Sequence, residues 1–182
     1  MSVGRLLGVG LVGSARALAL AGALVSPLLM AFEFDDQYDE KPWEEVEVQL
    51  PAYPVAGNMI RFKVGAVADT TYLIDSESLS VGSDGVIRYT LEVVSQSGAR
   101  NVSYEGMRCA TAERRFYAFG RSDGAWSKAR GNQWVKISGT SNNHHVELFS
   151  NHFCPPGSPS VTSAEEALTV LRSGGQRSAT NP

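Results

Sequence analysis

Acidic residues are missing from the start of the chain, where Glu33 is the first. Arg5 and Arg16 are the only charges before it. Arg16 divides the apolar runs "LLGVGLVG" and "ALALAGALVSPLLMA", so neither supplies the ~18–20 uninterrupted apolar residues of a membrane-spanning helix. No cysteine follows the runs to accept a lipid, and no twin-arginine pair precedes them. A basic start, a short apolar core and a small residue near its end describe a secretory signal. Residues 1–31 therefore read as a signal peptide cut near Ala31, with Ala23 the second choice and an uncleaved anchor the rival. The rest is expected to be a periplasmic protein of a bacterial envelope, with no stable membrane span.

Cysteine and histidine are also scarce: two of the first, Cys109 and Cys154, and three of the second, His144, His145 and His152. No C-x-x-C is present, which removes the common redox and zinc signatures. In an exported chain an even pair of cysteines reads first as a disulfide. The alternative is a Cys109 nucleophile with a later histidine as base. His145 and His152 fall two turns apart on one helix face. With no acidic triad beside them they read as exposed helical histidines rather than metal ligands. "EFDDQYDE" has carboxylates but lacks the spacing of a calcium loop. No metal or cofactor is implied.

Charge is unevenly placed. Residues 33–47 hold eight acids against one lysine, and residues 100–136 hold eight bases against three acids. The first stretch reads as a loose acidic leader over 32–50, with "VEVQL" able to form a short edge strand. Docking on the basic region is expected through charge. The whole chain carries a formal charge of −3, and an RNA-binding strand signature is matched only in part by "RFYAFG". Nucleic acid is thus not expected as a partner.

The middle of the chain alternates as strands do. "MIRFKVGAV" points Ile60, Phe62 and Val64 one way and Arg61 and Lys63 the other. "VIRYTLEVV" sets Ile87, Tyr89, Leu91 and Val93 against Arg88, Thr90 and Glu92. "TYLID", "LSV", "ARNVSYEGMRC", "RRFYAFG" and "QWVKI" supply further strands, with turns at "GSDG", "SQSG" and "RSDG". Gly106 inside its strand suggests a bulge. In "RRFYAFG", alternation puts Arg115, Tyr117 and Phe119 on one face and Arg114, Phe116 and Ala118 on the other. Two helices follow. "NHHVELFSNHF" places Val146, Phe149 and Phe153 on one side and stops before Pro155–Pro156. "SAEEALTVLRSGG" opens with a Ser163/Glu166 capping box and buries Ala164, Ala167, Leu168 and Leu171. The expected fold is α+β: a mainly antiparallel meander with two C-terminal helices packed on it. Residues 51–173 form a single domain and 174–182 a flexible tail.

"GRSDG" matches the nucleophile-elbow pattern around Ser122, but the helix that must follow is absent and both glycines suit a hairpin turn. Tyr117, Trp126 and Trp134 are the candidates for an aromatic ligand platform.

Four pieces, "EKPWEEVEVQLP", "SLSVGSDGVIRYTL", "SGARNVSYEGMRCATAERRFYAFGRSDGAWSKAR" and "FCP", resemble a family of exported bacterial proteins named after a cryptic neisserial protein. They span residues 40–155. The resemblance implies a cell-envelope protein and no particular reaction, so it carries over no catalytic residues. The leading reading is a non-enzymatic envelope protein that binds or supports something. The alternatives are a hydrolase using Cys109 or Ser122 with a C-terminal histidine, and a small-ligand or glycan binder using Tyr117, Trp126 and Trp134.

Overall fold

The structure, a computed structural model, describes residues 42–65, 69–139 and 143–176. The signal segment 1–31, leader positions 32–41 and tail positions 177–182 lie outside the described residues. Eight strands are described: β1 (Met59–Phe62), β2 (Thr71–Asp75), β3 (Ser80–Val81), β4 (Val86–Val94), β5 (Arg100–Arg108), β6 (Glu113–Gly120), β7 (Trp126–Lys128) and β8 (Val135–Lys136). They form one antiparallel sheet in the order β1-β2-β4-β5-β6-β7, with β3 beside β4 and β8 beside β6. This is the expected meander along β1-β2-β4-β5-β6, but β3 and β8 lie off that path, and Trp126–Lys128 forms a strand of its own before the final one.

Both SDG sequences make hairpin turns. Gly85 and Gly124 take φ of 73° and 80°, a conformation that costs glycine little, and Asp84 and Asp123 bond to backbone N–H groups two residues on.

One face of the sheet carries Phe62, Ile74, Ile87, Tyr89, Leu91 and Met107 into the core. Two C-terminal helices cover it. The first begins as α1 (His144–Glu147) and continues as a π-helix over Leu148–Phe153. The second is α2 (Ala164–Ser173), which buries Ala167 and Leu171 and packs beside β1 and the π-helix. Ser163 Oγ accepts from the Glu166 N–H, while the Glu166 carboxylate accepts from Thr162 rather than from Ser163. Gly174 ends α2 in the left-handed region.

The π-turn changes which residues of the first helix meet the core. Leu148 and Phe153 are fully buried, while Val146 and Phe149 are only partly covered. Hydrogen bonds reach five residues back, as from the Cys154 N–H to the Phe149 carbonyl, so positions five apart share a face. An ordinary helical period puts Val146 there as well, whereas of Val146 and Phe149 only Phe149 packs against the core.

The histidines also differ from expectation. His145 and His152 are both buried, not exposed. His152 lies against Phe62 with Nδ1 near the Glu147 carbonyl, and burial holds its imidazole below the ordinary value.

Cys109 follows the last residue of β5, and Cys154 follows the π-helix. Their sulfurs are bonded, with Cα atoms 5.3 Å apart, a separation a disulfide spans without backbone movement. The bond ties the helix to the end of a central strand across 45 residues of sequence. Phe153 is the aromatic packed in the core beside it. Replacing either cysteine with serine is expected to cost about 2–5 kcal/mol, and replacing both about the same, because the pair acts as one unit. Urea denaturation of the oxidised protein and of the single and double variants measures this.

Candidate functional site

The opposite face of the sheet is covered by residues 43–53, which form no strand. This strap runs from the β3–β4 turn to the β6–β7 turn. The Trp43 indole N–H donates to the Asp84 carbonyl at 2.8 Å, and the Val46 N–H donates to the Asp84 carboxylate at 3.0 Å. Further on, Trp126 donates to the Pro51 carbonyl, and the Tyr53 hydroxyl donates to the Arg121 carbonyl. Side chains more than peptide groups anchor it, which is why "VEVQL" does not become an edge strand.

Glu45 is the centre of the contact. Its carboxylate accepts from Arg115, Tyr117, Arg88 and the Trp134 indole. Arg88 also pairs with Asp84 at 2.6 Å, and Arg108 lies 3.5 Å from the centre of the Trp43 ring. Burial alone would lower the Arg88 guanidinium, but its bond to Asp84 holds it above the ordinary value. Burial and then Glu45 push the Tyr117 hydroxyl up, so it stays a donor. The described part of the leader thus meets the basic region through Glu45 and Arg115, and residues 43–47 are pinned rather than loose.

Tyr117 reaches Glu45 through an irregularity. Tyr104 pairs with Ala118 and Glu105 with Phe116, so Tyr117 is an extra residue on β6. The bulge expected at Gly106 therefore lies across from it. Gly106 makes room, since a Cβ there would fall 2.9 Å from two carbons of the Tyr117 ring.

The extra residue also reverses the alternation beyond it. Ala118 moves to the strap face, and Phe119 moves to the helix face beside Phe116, ring centres 5.2 Å apart. Strict alternation had placed Phe119 with Tyr117.

Phe116 and Phe119 line a groove of about 1080 Å³ on the helix face, beyond the start of α1. Arg114, Glu105, His144 and His145 line it too. Glu105 is 1% exposed and accepts from His145 Nε2 at 2.6 Å, Ser103 Oγ at 2.5 Å and the Tyr89 hydroxyl at 3.4 Å. Burial would raise this carboxyl, but the His145 hydrogen bond and charge, with Ser103, bring it below its ordinary value. Burial, and then Glu105, push Tyr89 up. His144 is stacked between Tyr72 and His145, ring centres 5.2 and 4.0 Å away. Asn143 caps the helix by accepting from the His145 N–H, which positions both histidines at the groove. Arg114 lies 4.7 Å from the centre of Phe116. Among the described residues no carboxylate pairs with it.

Of the residues singled out in the sequence, Tyr117, Trp126 and Trp134 all lie under the strap, in contact with Glu45, Tyr53 and Trp43. Cys109 is in the disulfide. Ser122 sits on the exposed β6–β7 turn, in a depression lined by no histidine. His144 and His145 are at the groove, but Ser103 bonds to Glu105 rather than to either ring, so the groove has no nucleophile–base pair among these residues. Glu45, Glu105, Arg114, Phe116 and Phe119 were not recognised as a site. Gly106 was the one signal in the sequence that bears on them. Among the described residues no three His, Cys, Asp or Glu side chains gather as a metal set, and no helix is long and apolar enough to cross a membrane.

Glu45→Gln should destabilise the protein by about 2–4 kcal/mol, because it leaves Arg115 and part of Arg88 covered without a counter-charge. Urea denaturation followed by tryptophan fluorescence reads both the loss and the release of Trp43 and Trp134. His144 gives a pH prediction. Burial, then the neighbouring His145 charge, lowers its imidazole to about 4 from an ordinary 6.5. The unfolded chain takes up this proton near pH 6.5 and the folded chain only near 4. The stability it contributes is therefore complete above about pH 6.5 and is lost as pH falls to about 4. After discounting for partial exposure the loss is about 1–2 kcal/mol. In His144→Asn, urea midpoints measured across this window should fall less steeply; Glu105 acts at lower pH.

A model described as the CNP1-like family matches residues 38–172. The match takes in the strap from Trp43 onward, the whole sheet and most of α2. Neither a curated protein nor a solved structure matches the chain. The extent of the family match is decisive: this chain belongs to the CNP1-like family.

Proposed function

We propose that this is an exported, periplasmic, non-enzymatic binding protein whose ligand site is the groove at Phe116, Phe119, Arg114 and the paired histidines. The observation that carries the reading is the groove itself: an aromatic floor with a few convergent polar groups, open without displacement of any described segment. A ligand stacked on Tyr117, Trp126 and Trp134 would first have to lift the strap, so that platform is the less accessible of the two. Export is supported by the acid-free start and by the disulfide, which persists in an oxidising compartment. In this reading residues 1–31 are removed, 32–50 form the leader, 51–173 the domain and 174–182 a tail.

A fragment screen by NMR on isotope-labelled protein recovered from the periplasm tests the reading. Fragments should shift the amides of residues 103–105, 116–119 and 143–145 and be recovered unchanged. A screen that leaves these amides unmoved, or fragments converted to product, overturns it. N-terminal sequencing of the same material should begin near Phe32, whereas intact Met1 on a membrane-bound species overturns cleavage.

A further inference from the structure

Strand β6 presents an arginine–aromatic pair on each face of the sheet. On the strap face, Arg115 lies 5.4 Å from the centre of Tyr117. That pair holds the Glu45 carboxylate, with the Trp43 indole packed nearby against Trp134. On the helix face, Arg114 lies 4.7 Å from the centre of Phe116, and Phe119 continues the floor at 44% exposure. The first pair has a resident acid and ring. The second has no resident acid, because the nearby Glu105 is committed to His145, Ser103 and Tyr89, and the His145 ring meets only the edge of Phe116, centres 6.0 Å apart, leaving Phe119 exposed.

We infer that the groove binds a small carboxylate attached to a flat apolar ring: the carboxylate on Arg114 and the ring on Phe116 and Phe119. This rests on the groove being the binding site and adds the class of ligand. A planar guanidinium grips a carboxylate through two parallel hydrogen bonds, and a pair of phenyl rings, Phe119 exposed and Phe116 half-buried, favours a flat apolar body over a polar chain. Arg100 also lines the groove, but its guanidinium is already bonded to Glu92. Arg114 is therefore the guanidinium at the groove with no carboxylate of its own among the described residues.

Calorimetric titration of the full exported protein with 2-naphthoate, and with 2-naphthamide as its neutral isostere, tests the inference. Naphthoate should bind about tenfold or more tightly than the amide. Arg114→Gln should bring naphthoate down to the level of the amide, and Phe119→Ala should weaken both by a similar factor. Should Arg114→Gln fail to fold, Arg114→Lys, which keeps the charge and loses the fork, should still cost several-fold in naphthoate affinity. Equal binding of acid and amide, or naphthoate affinity unchanged by both Arg114 variants, overturns the carboxylate class while leaving the groove as a binding site. A change in Trp43 and Trp134 fluorescence with no effect of Phe119→Ala places the ligand under the strap and overturns it too. Absence of naphthoate binding, when other fragments shift the groove amides, overturns the ligand class alone. Absence of any groove-directed fragment overturns both readings.

Discussion

The Glu45 carboxylate decides how this sheet can be covered. Arg88 is 5% exposed and Arg115 is largely covered, both on a face where aromatic side chains crowd. Two guanidinium groups taken out of water need a counter-charge at bonding distance, or their desolvation opposes folding. No strand of the sheet supplies a second acid for them; Asp84 serves Arg88 from a turn. Glu45 comes from an irregular segment ahead of β1, and its position brings Trp43, Pro51 and Tyr53 down with it. With much of that face covered by residues 43–53, the larger groove lies on the helix face.

The extra residue in β6 links the two faces. Inserting Tyr117 sends its hydroxyl to Glu45 and, one residue later, turns Phe119 onto the helix face. The strap contact and the groove floor are thus two consequences of one bulge. Gly106 permits it by having no Cβ where the Tyr117 ring lies. Gly120 plays a similar part further along, because a Cβ there would meet Tyr53 and Val102 at 2.8 Å.

On the helix face, two attachments set where the histidines stand. The disulfide holds the far end of the π-helix to the end of β5, and the Glu105–His145 pair holds the near end to the middle of the same strand. Between them the wider π-turn buries Leu148 and Phe153 together. The helix is fastened at both ends to one strand, which leaves Asn143, His144 and His145 at the edge of the groove rather than over it.

The antiparallel meander, the two SDG hairpins, the Ser163 cap of α2 and the pairing of Cys109 with Cys154 were determined by the sequence alone. The first three depend on local spacing: period-two alternation as in Ile87–Tyr89–Leu91, glycine at turn positions and an oxygen side chain before a helix; the last depends on there being two cysteines and no more. The burial of His145 and His152, the side on which Phe119 faces, and the binding of Glu45 were decided only by tertiary structure. The π-turn shifts the phase of Leu148–Phe153 and the β-bulge that of Phe119, and neither leaves a periodic trace beforehand; His145 is held inside by Glu105, 40 residues away in sequence. An acid that pairs with arginines 43 and 70 residues away has no local signature at all, because its partners become neighbours only when the sheet forms.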